Sequence, residues 1–126
     1  MCTERCIISV IAFPSHAARV LAWDTLTRKQ TIWTLNNYRQ AALLDVTSCI
    51  FINAIDRPEN DDNDVTAEIN DWNVGNTYQN FVAVEVYVDG TIDYMIKAHV
   101  LPGGGNTVNY PLDGEYKTAN FTVECT

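Results

Sequence analysis

Residues 80–100, NFVAVEVYVDGTIDYMIKAHV, alternate apolar and polar side chains almost without a break. Side chains in a strand point to opposite faces in turn, so period-two patterning of this length specifies β-structure with one buried face. Val82, Val84, Val86 and Val88 share one face. Ile92, Tyr94, Ile96 and Ala98 share one face beyond the Asp89-Gly90 break. The stretch is expected to be a hairpin.

Its register follows from the same rule. A two-residue Asp89-Gly90 loop would pair Val84 with Met95 and split the valines from the Ile/Tyr set. A three-residue loop, Val88-Asp89-Gly90, pairs Val86 with Ile92, Val84 with Tyr94 and Val82 with Ile96, placing both sets on one face. It also sets Glu85 opposite Asp93, a like-charge pair costing about 0.2–1 kcal/mol. Burial of each large apolar side chain returns about 1.5–3 kcal/mol, so the three-residue loop is expected.

The remaining segments fill in around this hairpin. Pro102–Gly105 reads as a turn, Thr107–Tyr110 as a short strand and Pro111–Gly114 as another turn. In KTANFTVECT, Phe121, Val123 and Cys125 point inward, against Asn120, Thr122 and Glu124 outward. Asn120-Phe121-Thr122 is also a glycosylation sequon, usable only in the secretory pathway; such triplets arise often by chance, and no modification is expected from it. Cys6–Phe13 suits a buried strand. After Pro14, Ser15 offers a cap for a helix over residues 15–29 that shows Ala22, Trp23 and Leu26 to a partner. The alternative is a hairpin of RVLAW against QTIWTL, towards which Thr25, Thr27 and Thr31 lean. The helix is the expectation adopted. TIWTL is then a strand, NYRQAALL a turn or short helix, and VTSCIFINAI a buried strand. About seven strands between turn signals give a mainly β fold: one antiparallel two-sheet sandwich domain over 1–126, immunoglobulin- or fibronectin-III-like, with 1–30 as an N-terminal strand and helix extension.

Composition narrows the functions. The 126 residues hold 8 Lys and Arg against 16 Asp and Glu, a net charge of −8. Nucleic-acid binding needs clustered cations, so no nucleic-acid partner is expected. No run approaches the roughly 20 apolar residues of a membrane helix, and no membrane insertion is expected. The eight-residue run Cys6–Phe13, broken by Ser9 and closed by Pro14, is too short to read as a cleaved signal.

Acidic residues concentrate between Ile55 and Asn73, where Asp56, Asp61, Asp62, Asp64 and Asp71 stand with Glu59 and Glu68. The best calcium-loop frame starts at Asn60 and puts Asp62, Asp64 and Asp71 at ligand positions, but places Val65 where glycine is needed. That motif fails. A looser calcium site on the same three carboxylates is the weak alternative to a solvated loop that keeps an edge strand from pairing. Cys2, Cys6, Cys49 and Cys125 are read as reduced thiols or one bridge. A zinc site from Cys2, Cys6, His16 and His99 lacks the usual close cysteine pair.

Catalytic patterns are missing. There is no Gly-x-Ser-x-Gly, no His-Glu-x-x-His and no phosphate-cradling Gly-Lys loop, so neither an enzyme nor a cofactor is expected. What remains is surface chemistry. Trp72, Tyr78, Tyr110 and Tyr116 fall in or beside turns, interleaved with Asn73 and Asp113. Aromatic faces beside amides and carboxylates suit sugar rings or a protein partner.

Several segments together resemble the fungal immunomodulatory proteins, small lectin-like proteins with a fibronectin-III-like sandwich. The likeness is carried by LAWD at 21–24 with the basic turn and TIWTLNN that follow, by VYVDG at 86–90, and by GGGNTVNYPLDGEYKTANFTV at 103–123. This chain departs in its longer N-terminus, its cysteines and its acidic insertion around 56–64. The resemblance implies a non-enzymatic homodimer that binds cell-surface glycans or receptors, meets its copy near Val20, Leu21 and Trp23, and works outside the cell without a cleaved signal. If it fails, a cytoplasmic protein is expected instead. The other expectation is a viral- or phage-type structural or inhibitory accessory protein that docks its acidic loop on a basic partner.

Overall fold

A computed structural model describes residues 5–13, 17–36, 40–56, 80–88, 94–101, 106–114 and 117–123. Within them lie nine strands and no helix: β1 (Cys6–Phe13), β2 (Ala17–Asp24), β3 (Lys29–Leu35), β4 (Gln40–Asp45), β5 (Ile50–Asp56), β6 (Phe81–Val88), β7 (Tyr94–Leu101), β8 (Asn106–Pro111) and β9 (Thr118–Thr122). A four-stranded antiparallel sheet runs β3-β2-β1-β9, and a five-stranded one runs β5-β4-β6-β7-β8. The two pack face to face. Ile8, Val10, Val20, Ala22 and Phe121 of the first meet Leu44, Val82, Val84, Val86 and Ile96 of the second. The mainly β two-sheet sandwich expected from the alternation is present.

The expected helix over 15–29 is replaced by the β2–β3 hairpin. Period two explains why. Ala18, Val20 and Ala22 are buried, and Leu21 and Trp23 alternate with them on the other face. A helix would scatter that stripe around its circumference. Asp24 closes the hairpin, its carboxylate accepting the backbone N–H of Leu26 at 2.9 Å and of Thr27 at 3.3 Å. Arg28, at φ 58°, turns the chain into β3. The stretch expected as a turn or short helix, NYRQAALL, supplies β4. Ala41–Leu44 are all buried there, because the five-stranded sheet is covered on both faces. The strand expected from Val46 begins at Ile50, after a second turn in which Asp45 accepts from Thr47 at 2.8 Å and Cys49 takes φ 56°.

The β6–β7 hairpin forms with a register four residues from the expected one. Val86 faces Ile96, Val84 faces Ala98 and Val82 faces Val100, so residues 89–93 join the strands and lie outside the described residues. An even shift keeps every side chain on its face, so the one-sided stripe of β6 survives. What changes is the partner. Glu85 stands opposite Lys97 rather than Asp93, and attraction replaces repulsion.

One end of the sandwich is closed by two linked devices. Cys6 of β1 and Cys49, just before β5, form a disulfide between the sheets, with Cα atoms 5.2 Å apart. Both are buried, so the expectation of reduced thiols or one bridge resolves to a bridge among the described cysteines. Beside it, Arg5 donates to both carboxylate oxygens of Asp24 at 3.0 Å and to the carbonyl of Thr47 at 2.9 Å. One guanidinium thus touches both hairpin turns.

Two outcomes are expected. Replacing Cys6 and Cys49 together by alanine releases a loop of 43 residues, which lowers unfolding free energy by about 4 kcal/mol on the loop-entropy relation, measured by urea titration. The Arg5 guanidinium, against the opposing effect of burial and helped by two backbone N–H groups, holds the Asp24 carboxyl well below the usual carboxylate range. A carboxyl that is more acidic folded than unfolded contributes stability above its unfolded value of about 4, and that contribution is lost as pH falls further. Urea stability between pH 5 and about 2 therefore falls less steeply in Asp24→Asn than in the parent chain.

Candidate functional site

The two sheets use their outer faces differently. On the five-stranded sheet, Ala41, Leu43, Phe81 and Ala83 are withdrawn from solvent and form a second apolar cluster. On the four-stranded sheet the outer face stays open. Its register aligns Ile7 with Trp23 and Gln30, Ser9 with Leu21 and Ile32, and Ile11 with Arg19 and Thr34. On the far side, β9 sets Thr122, Asn120 and Thr118 against Ile7, Ser9 and Ile11. Trp23 is 39% exposed, Ile7 37% and Ile32 56%, values far above those of the core.

None of Asp24, Asp45, Asp56, Glu85 and Asp113, the acidic residues among those described, stands on this face. Its single charge is Arg19, whose guanidinium lies 5.5 Å from the ring centre of Phe13. Four strands at about 4.8 Å spacing and seven residues at about 3.3 Å rise give a face of roughly 440 Å² in projection. Ile7, Ile11, Leu21, Trp23 and Ile32 lie on it, interspersed with Ser9, Gln30, Thr34, Thr118, Asn120 and Thr122.

Of the three residues expected at a dimer interface, Leu21 and Trp23 lie on this face. Val20 does not, because it alternates inward and is fully buried between the sheets. Among the expected ligand-binding residues, Trp72, Asn73, Tyr78 and Tyr116 lie outside the described residues, as do Asp62, Asp64 and Asp71 of the calcium alternative. Cys2, Cys125 and His16 also lie outside them. Tyr110 points into the sandwich. Its ring stacks on Phe121 with centroids 4.3 Å apart, and burial pushes its hydroxyl pKa up. Asp113 is exposed and bridges its backbone to Thr118, through an N–H···O of 3.3 Å one way and 2.7 Å the other. Tyr110 thus packs half-buried against the core, and Asp113 sits on the surface.

Sequence reasoning missed a polar chain across three strands. His99 Nε2 lies 2.8 Å from Glu85 Oε2, and His99 Nδ1 lies 3.1 Å from Thr107 Oγ1. Glu85 and His99 are fully buried. The two ring nitrogens of His99 thus bridge the Glu85 carboxyl on β6 and the Thr107 hydroxyl on β8. Alternation alone puts Glu85 and His99 on one face of the hairpin. The signal was present, but the expected register set Asp93 beside Glu85 and hid the pairing. Lys97, directly opposite Glu85, places its ammonium 4.5 Å from the ring centre of Tyr87. The arrangement ties β6, β7 and β8 together in one register, the best-attested role of a buried polar network.

No family model, no curated protein and no solved structure matches this chain. Functional inference therefore rests on the surfaces described above.

Removing Glu85 leaves the buried imidazole without its carboxylate. Glu85→Ala is expected to lower unfolding free energy by about 3 kcal/mol or more, read by urea titration. Thr107→Val, at the half-buried end of the chain, is expected to lower it by only about 1 kcal/mol.

Proposed function

We propose that this chain is a non-enzymatic recognition protein that assembles as a homodimer through the outer face of its four-stranded sheet, and that it binds glycans or cell-surface receptors outside the cell. The observation that carries the proposal is the row of exposed or half-buried apolar residues Ile7, Leu21, Trp23 and Ile32 on one face, where no Asp or Glu stands among the described residues. A second copy is the occupant this face fits, because two copies would meet over these apolar side chains with none of the described carboxylates between them. Its area, ruffled by side chains, approaches the roughly 600 Å² per partner at which specific interfaces begin.

An extracellular setting is supported by the buried Cys6–Cys49 bridge, because structural disulfides persist in oxidising compartments. Kinship with the fungal immunomodulatory proteins and an immunoglobulin- or fibronectin-III-like assignment belong to the same proposal. Two packed antiparallel sheets support the likeness at the level of architecture. The immunoglobulin arrangement separates its third strand from the first two. Here β1, β2 and β3 lie side by side with β9, so the strand order is the chain's own.

Trp23→Glu puts a carboxylate on the face, beside Ile7. Sedimentation equilibrium is expected to show at least a tenfold weaker association, about 1.4 kcal/mol. Leu26→Glu, on the exposed β2–β3 turn away from the face, is expected to leave association unchanged. Recognition is tested separately by glycan array and haemagglutination with the parent chain, where binding is expected. Blank results in both would remove the glycan-binding part and leave the dimer standing or falling on sedimentation.

A further inference from the structure

We propose that Asn120 is a site of N-linked glycosylation whose glycan competes with a second copy of the chain for the outer face of the four-stranded sheet. The competition rests on the docking role proposed for that face; the modification does not. Asn120-Phe121-Thr122 has the acceptor pattern, with a residue other than proline in the middle. Its use depends on two conditions that the sequence left open: the fold meets the first, and the bridge supports the second.

The first condition is space. Asn120 and Thr122 alternate outward on β9 and are exposed, while Phe121 between them is buried against Tyr110. β9 is an edge strand, paired with β1 alone in its sheet. A sugar chain on Asn120 therefore displaces no core side chain and breaks no ladder between strands. The second condition is the compartment. The buried Cys6–Cys49 bridge fits an oxidising compartment, and the lumen in which oligosaccharides are transferred to nascent chains is one such compartment.

The reaction is a transfer from an oligosaccharide carried on a lipid pyrophosphate. The Asn120 side-chain nitrogen attacks the anomeric carbon, and a carbon–nitrogen bond forms. The carbon–oxygen bond to pyrophosphate breaks, the amide nitrogen gives up one proton, and the lipid pyrophosphate leaves.

Position then determines consequence. Asn120 stands opposite Ser9, in the same row as Leu21 and Ile32. Three strand spacings, about 14 Å, separate Asn120 from Ile32. An N-glycan easily spans that distance. Its first sugars rise from the plane of the face beside Ile7 and Ile11, where they obstruct the flat approach of a second sheet. A neutral glycan also suits an acid-free apolar surface, because the apolar faces of sugar rings lie against aliphatic and indole groups such as Ile7 and Trp23.

The full chain is secreted from a glycosylating eukaryotic host, and the bridge is verified by mass under non-reducing conditions. Three samples are compared: the parent chain, Asn120→Gln, and Thr122→Ala, which keeps the nitrogen but removes the acceptor hydroxyl. Intact mass and peptide mapping are expected to show one glycan on Asn120 in the parent and none in either variant. Sedimentation is expected to show a parent association at least tenfold weaker than that of both variants. A secreted, bridged parent chain without glycan on Asn120 overturns the site. A glycosylated parent that associates as its variants do overturns the competition. If the glycan is present and neither variant associates at all, the docking role of the face has failed while the modification is established.

Discussion

The disulfide between Cys6 and Cys49 and the guanidinium of Arg5 hold the two sheets at one end, and the rest of the molecule is organised from that end. Both hairpin turns there are built alike. An aspartate (Asp24 or Asp45) accepts the N–H groups two and three residues on, and a residue at positive φ (Arg28 or Cys49) sends the chain into the next strand. In the second turn that residue is also half of the bridge. The turn conformation thus aims a sulfur at β1, and the side chain before Cys6 reaches back to the first turn. An ion pair alone is weak in solvent. Placed together, the two devices make the separation of the sheets at this end depend on breaking a covalent bond and a bidentate ion pair at once.

The stripe of β6, the burial of Phe121 and Val123 and the two-sheet architecture were legible because each depends only on alternation. Register was not legible, because pairing offsets that differ by an even number bury the same side chains. Choosing among them needs the loop and the opposing charges. The sequence offered a compact loop at Asp89-Gly90, and the fold prefers Glu85 beside Lys97 and His99. The helix over 15–29 failed for a related reason. Ala, Arg, Leu and Trp serve either period, and an aspartate at Asp24 serves equally as a helix signal or a turn closer. The threonines of β3 and the exposed neighbouring sheet edge decide in favour of strands.

The candidate site shows the same division. Leu21 and Trp23 were named as contact residues for a helix, and they remain on an open surface because the odd residues of β2 share a face in the strand as well. Val20 could not be separated from them without knowing the period. Tyr110 was placed among loop aromatics by its neighbours Asn109 and Asp113, yet in β8 it pairs with Ile96 and follows that residue inward. Turn chemistry beside a strand end does not tell which way the last aromatic points.

The unequal treatment of the two sheets is the deeper constraint on function. The five-stranded sheet buries both faces, even at the cost of enclosing Glu85 and His99, and so offers association little apolar surface among the described residues. The four-stranded sheet buries one face and leaves Ile7, Leu21, Trp23 and Ile32 open on the other, with no carboxylate beside them among the described residues. β1, one of its two inner strands, is anchored by Cys6, so the device that closes the core also holds this face in place. Rigidity lowers the ordering cost of whatever covers the face, whether another sheet or a sugar chain. Whatever covers that face meets strands already ordered by the core and the bridge.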